Sequence, residues 1–366
     1  MTAYFIRRLL LIIPTFIGVT MIAYCIMRHV PGGPVDRIMM QMQMASAQSG
    51  VSVGSEAGEL PEEAIAELKK GFDLDKSWYH AYALWLGRIF TRFDLGNSYS
   101  YQEPVADIII ARFPVSIYFG LTGFVLAYLV SVPLGIIKAV RHGSYFDFFS
   151  SAAVFIGYSI PGWAMGALLL VLLAGGEFVA WFPLGEFRSG SYDELPSVVQ
   201  EMTDPLDVED DFGQFEWAKL TFPAKAIDQI YHTILPVFCY MLGSFAALTI
   251  LMKNSIMENI GQDYVRTAFA KGLSPRRVIF LHTLRNSLIP LATGLGHAVG
   301  VIMAGSYLIE KVFNIDGIGY LGFTSILSRD YMIVMGILSI NIVLTLIGNI
   351  LSDVLYALVD PRIRFQ

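Results

Sequence analysis

The densest chemistry in this chain lies between Lys253 and Ser287. Asp263, Tyr264, Arg266, Thr267, Ala268, Lys271, Gly272, Ser274, Pro275 and Arg276 all fall within one short stretch, with Arg277 directly after it. These residue types suit docking rather than catalysis. Asp263 stands where it can cap a helix of about eight residues, and Gly272 can end that helix in the left-handed conformation. Ser274 followed by Pro275 reads as the N-cap and first residue of a second helix. Helix, glycine turn, helix makes a rigid knob that presents Arg266, Lys271, Arg276 and Arg277 to a partner. The same bases would also enforce membrane topology or meet lipid headgroups. Local physics leaves these readings open.

No catalytic constellation accompanies the knob. The sequence has no Gly-Lys dipeptide and therefore no phosphate-binding P-loop, and it has no GxSxG, HExxH or CxxC. The six histidines are scattered, and Cys25 and Cys239 each sit in an apolar run. The expectation is a chain that is not an enzyme and binds no cofactor or metal of its own. Polar residues inside apolar runs are the remaining candidates. Asn341, Thr345, Asn349 and Asp353 recur at four-residue spacing, a slowly rotating helical stripe. Such a stripe lines a passage or glues helices together by hydrogen bonds. His297 lies between Gly296 and Gly300, a GxxxG spacing that permits close helix approach, and has no charged neighbour in sequence. Asn341, Thr345, Asn349 and His297 are the candidate translocation residues.

The elements that must carry these groups follow from composition. Of 366 residues, 55% are hydrophobic and only 15% charged, with a mean hydropathy of +0.56. Soluble domains carry about 25% charge. The net charge of −6 gives no sign of a nucleic-acid surface. Six long uncharged runs stand out: Leu9–Met27, Phe113–Ile137, Phe148–Gly176, Gln229–Met252, Asn286–Ile309 and Tyr331–Ser352. Each is near or above the roughly 20 residues a helix needs to cross a bilayer. A seventh, Ile38–Ser55, is rich in Gln, Ser and Gly and reads as a polar loop. The first run follows Arg7 and Arg8 but ends without a small-residue cleavage site, so it reads as a retained span. Pro133, Pro161 and Pro236 are expected to kink their spans.

Six spans put both termini on one side, and basic residues choose it. The N-terminus, the 138–149 turn, the 253–287 loop and the C-terminal tail with Asp353 hold 12 Lys and Arg against 5 acids, while the other loops hold 13 against 26. The first set is assigned to the cytoplasm. The expected organisation is 1–28 as N-terminus and first span, 29–112 as a long external loop with short helices, 113–176 as spans two and three, 177–228 as an acidic external loop, and 229–366 as spans four to six with the 253–287 loop. Pro61–Gly71 reads as one helix of the first external loop. Trp78, Tyr82, Trp85, Leu86, Ile89 and Phe90 recur at helical spacing, either for a helix in the membrane interface or for the core face of a small cap. The acidic loop, with Asp204, Asp207, Glu209, Asp210 and Asp211, reads as solvated or as a contact for a soluble partner; the spacing and glycine of an EF-hand are absent.

Four stretches carry a resemblance. DYVRTAFAKGLSPRRVIFLHTLRNSLIP resembles the cytoplasmic loop of permease subunits of peptide-type ABC importers. YFIRRLLLIIPTFIGVT with PGGPVD, FDLGNSYSYQEPV, and EKVFNIDGIGYLGFTSILSRDY with SDVLYALVDPRIRF resemble the first span, the segment before the second, and the last external loop and tail of the B-type permease. GSYFDFFSSAAVFIGYSIP and LAGGEFVAWFPLGEFRS look most like the Yej-type branch, which imports oligopeptides and peptide antibiotics such as microcins. Where the general ABC-importer motif has Glu-Ala-Ala, this chain has Arg266-Thr267-Ala268, a departure usual in the peptide branch. The resemblance implies an all-α integral membrane protein of six transmembrane helices with the type I ABC importer permease fold. It implies a bacterial inner-membrane location, a homologous second permease, two ATP-binding subunits that use ATP and Mg, and a periplasmic substrate-binding protein. It also implies that Asp263–Pro275 sits in a groove of an ATPase subunit. Against this stand an ion-coupled carrier acting alone and a structural subunit without transport. The six runs hold no acid or base besides His232 and His297, and the halves show no clear repeat, as such a carrier would require.

Overall fold

The computed structural model describes residues 2–30, 33, 35, 39–40, 65–66, 69–70, 73–210, 212–295 and 305–359. The described elements are helices and turns, with two isolated bridges and no strand. They are α1 (Thr2–His29), α2 (Trp78–Arg92), α3 (Val105–Val140), α4 (Tyr145–Ser159), α5 (Gly162–Leu173), α6 (Phe222–Ile260), α7 (Asp263–Ala270), α8 (Ile289–Leu295), α9 (Tyr307–Val312), α10 (Ile318–Leu327) and α11 (Tyr331–Val359). α1, α3, α6 and α11 are long and apolar enough to cross a membrane. The third apolar run is a bent pair: α4 and α5 meet at 97° across Ile160 and Pro161. Pro161 has no N–H and starts α5, so the break falls where the proline predicts it. Pro133 and Pro236, by contrast, lie inside α3 and α6, which continue through them. Of the fifth run, α8 is described and 296–304 lie outside the described residues. Gly296, His297 and Gly300 fall there, as does most of the Pro61–Gly71 segment.

The chain divides into two compact units, 2–111 with 322–343 and 112–321 with 344–366. In the first, α2 lies against α1. Trp85 and Ala81 are fully buried, and Tyr82, Tyr24 and Phe16 nearly so. The Tyr82 and Trp85 rings lie 5.6 and 6.3 Å from Tyr24, and Thr20 Oγ1 and Tyr82 Oη share a hydrogen bond of 2.9 Å. The aromatic stripe of α2 is therefore a core face. Arg28 ends α1 by donating to the carbonyls of Asp73, Leu74 and Lys76.

In the second unit α3, α5 and α6 pack side by side around Phe119, Leu235, Val237, Cys239, Ile309 and Phe313. α3 and α6 approach so closely at Gly135 that a Cβ there would sit 2.6 Å from Met252 Cβ. The acidic loop is more than a solvated tether. Short helical turns at Ser197–Glu201, Pro205–Val208 and Trp217–Lys219 enclose a small core of Leu195, Val199, Val208, Leu220 and Ala224. Asp210 accepts from the N–H groups of Gln214 and Phe212, which hold its carboxyl below the usual carboxylate range.

Candidate functional site

α6 runs unbroken for 39 residues and delivers the chain, after Gly261 and Gln262, to α7. α7 has the eight residues expected. Gln262 takes the N-cap position and Asp263 is the first helical residue, where its charge complements the helix dipole. One face of α7, Val265 and Ala268, is buried against Val278 and Leu273. The opposite face is open. Asp263, Tyr264, Arg266, Thr267, Lys271, Gly272, Ser274, Pro275 and Arg276 are exposed, so of the ten expected docking residues only Ala268 serves the interior. Arg266 is 75% exposed in its side chain and pairs with Asp263 at 3.5 Å, a weak contact in water that leaves both groups available.

Gly272 has φ +78°, a conformation that L residues with a Cβ adopt only with strain. It closes the helix through Gly272 N–H to Phe269 O and Leu273 N–H to Ala268 O. Ser274 holds the N-cap position and Pro275 the first helical position of the next segment. That segment differs from the expectation of a plain second helix. After Pro275–Arg277 it widens into a π-helix over Val278–Thr283 before one α turn at Leu284–Ser287. Ser255 of α6 and Ser287 bond each other across the base of the knob.

Two further features could not be read from the sequence. The first is a charge cluster below the knob. Asp147, in the first turn of α4, receives Lys253 Nζ of α6 at 2.7 and 2.8 Å, His142 Nδ1 at 3.1 Å and the Gly143 N–H at 3.2 Å. Lys138 at the end of α3 lies 3.3 Å from the same carboxylate. The second is a cavity of about 480 Å³ in the same unit, lined by Phe124, Tyr128, Trp163, Tyr240, Ser244 and Leu308 among others, with no Asp, Glu, Lys, Arg or His among its described lining. Beside it the buried Glu310 carboxylate accepts from Tyr240 Oη and from the N–H groups of Ser306 and Tyr320. The sequence candidates on α11 are not among the described lining. Asn341 and Asn349 are half-buried and Thr345 is exposed.

Helices long and apolar enough to span a membrane, an exposed knob and a cavity whose described lining carries no charge are the features of a membrane transport component, and no group of His, Cys, Asp or Glu among the described residues could hold a metal. The chain belongs to the family of binding-protein-dependent transport system inner membrane components, which matches residues 131–365. It is 37% identical, over the whole of this chain and 99% of the relative, to the peptidoglycan transport system permease protein YejB of Agrobacterium fabrum. It is also 37% identical over both full lengths to the inner membrane ABC transporter permease protein YejB of Escherichia coli O157:H7. With the oligopeptide transport system permease protein AppB of Bacillus subtilis it shares 32% identity, again over both full lengths.

Proposed function

We propose that this chain is one of two homologous permease subunits of an ATP-driven importer that carries oligopeptides or peptide-like compounds from periplasm to cytoplasm. Both termini and the α7 knob lie on the cytoplasmic side, where two ATP-binding subunits grip the knob. A soluble binding protein delivers substrate to the external loops. The names of the relatives support the peptide class, and the Lys and Arg distribution supports the orientation.

The observation that carries the mechanism is the knob itself. Exposed Asp263, Tyr264, Arg266, Thr267, Lys271, Ser274, Pro275 and Arg276 stand on a short helix and the turn after it, two residues past the end of the longest described helix. ATP binding shifts the permease between inward- and outward-open states only by the difference in its affinity for them. A rigid contact on a rigid helix is where that difference is converted into movement. Replacing Gly272 by valine tests this. The permease should insert normally and lose both uptake and substrate-stimulated ATP hydrolysis. Normal uptake by that variant would remove the knob from the mechanism.

A further inference from the structure

The α4–α5 pair is held to the rest of its unit in an unusual way. α4 is mostly bare: Tyr145, Phe148, Phe149, Phe155, Ile156 and Tyr158 are exposed apolar or aromatic groups, and of its fifteen residues only Asp147 and Val154 are buried. Its first turn is fixed by charge instead. The Asp147 carboxylate lies between two ammonium groups from different helices, Lys138 of α3 and Lys253 of α6. Lys138 is 2% exposed, and its partners among the described residues are Ser150 Oγ at 2.9 Å, Ser151 Oγ at 2.7 Å and Asp147 at 3.3 Å. Buried charges persist where they are paired and hydrogen-bonded, so this arrangement fixes α4 against both neighbours at one point.

The bend of the pair is fixed by close packing. At Gly162, where α5 begins, a Cβ would meet the Cys239 carbonyl of α6 at 2.8 Å, and at Gly166 the Phe313 ring at 2.7 Å. Gly162 and Trp163 line the cavity with Tyr240 and Ser244 of α6. The bent pair thus meets α6 from Cys239, through Leu242 beside Gly157, to Lys253, and the outer two positions lie fourteen residues or about 21 Å apart along one continuous helix. Lys253 lies two turns before the end of α6, next to the knob. With both attachments the pair follows α6 as one body. Without the Asp147 attachment the first turn of α4 loses its charged hold on α6, and the pair keeps only its packing around Gly157 and Gly162.

We propose that Asp147, through Lys253, is a positioning residue for transport: it passes movement of the 263–275 knob to the α4–α5 pair and so to the cavity wall. The proposal rests on the knob being the ATPase contact. Asp147→Asn is the obvious variant, but it strands the buried Lys138 and can fail to fold. Lys253→Gln leaves the Asp147–Lys138 pair in place and cuts only the attachment to α6. The complete importer carrying K253Q should co-elute with its ATP-binding subunits at the normal ratio. Uptake of a labelled oligopeptide pool should fall about tenfold, a middling value for coupling between two sites, while ATP hydrolysed per peptide rises several-fold. Lys253→Arg, which keeps the charge, should restore both. Three results would each overturn the proposal: normal uptake with a normal ATP-to-peptide ratio, reduced uptake at an unchanged ratio, or loss of co-elution, which would put Lys253 in the docking contact. The Gly272 variant reports separately on the knob. If it imports normally, the docking reading fails whatever Lys253 does.

Discussion

Ser255 and Ser287 hydrogen-bond to each other's backbone. Ser255 Oγ donates to Ser287 O at 2.9 Å and Ser287 Oγ donates to Ser255 O at 3.1 Å. Both are buried, and they join the helix that enters the knob to the segment that leaves it. The pair closes the base of the helix–turn–helix.

Each serine is expected to contribute about 1 kcal/mol, the usual net value of a hydrogen bond. Each alanine substitution takes the hydroxyl away from the opposite serine's carbonyl but leaves the second bond, from the remaining hydroxyl to the substituted residue's own carbonyl, still holding the two segments together, so the two effects are coupled. The double variant should therefore depart from the sum of the singles by about 0.5 kcal/mol or more. Thermal unfolding of the purified complex in detergent, run as a double-mutant cycle, measures this. Strict additivity would show that the two bonds do not act as a unit.

Gly272 separates two causes of damage. Its φ of +78° strains any residue with a Cβ, yet nothing lies within 4 Å of where a Cβ would be. Cost at this position is therefore conformational and not steric. Gly272→Ala should lose about 1–2 kcal/mol, and Gly272→Asn distinctly less, because asparagine visits the left-handed region readily. Equal losses for the two variants, read as melting shifts of the complex, would place the constraint elsewhere.

The knob was legible because its signals are local. A glycine at a helix end and a Ser-Pro start each act within a turn, and α7 ends where they place it. Asp263 was misplaced by one position, since Gln262 supplies the extended backbone at the cap without any side-chain cap bond. The π segment left no mark in sequence, because a shift from i−4 to i−5 bonding needs no special residue. Prolines gave a mixed result. Pro161 breaks its span, whereas Pro133 and Pro236 are absorbed, so the proline alone does not decide. Trp85 announced a helix but could not say whether membrane or α1 covers it. Asp147 and Lys253 are 106 positions apart, and Asp147 looked like one charge in a short turn. The small core of the acidic loop left no pattern in sequence because its five buried apolar residues are spread singly among polar and acidic ones.

Glu310 predicts a pH dependence. It is 1% exposed, and burial raises its carboxyl above the ordinary glutamate range although Tyr320 N–H, Ser306 N–H and Tyr240 Oη all bond it. A raised value in the folded state means that the folded protein holds this proton more tightly than the unfolded chain. Its contribution is fully present below the unfolded glutamate value, about 4.3, and is lost as pH rises through the raised one. The melting temperature of the wild-type complex minus that of Glu310→Gln, which cannot ionise, should therefore fall from about pH 4 towards neutrality. A difference that grows with pH would mean the ionised carboxylate is the favoured folded form.

Gly135 tests whether α3 and α6 are held together by proximity of backbones. A Cβ at this position would lie 2.6 Å from Met252 Cβ and 2.9 Å from Thr249 O, and neither is the far end of a flexible side chain. Met252 is fully buried in a cluster with Ala139, Ile256 and Leu291, so it has nowhere to retreat. Alanine is favoured over glycine inside a helix by about 1 kcal/mol, while over-packing a tight contact costs about 1–3 kcal/mol. The second effect should win, and Gly135→Ala should lower the melting temperature. Gly87 supplies the control. It lies inside α2 with nothing within 4 Å of its Cβ position, so Gly87→Ala should gain about 0.5–1 kcal/mol from helix propensity alone. If both alanines stabilise, the α3–α6 crossing is looser than its glycine contact requires.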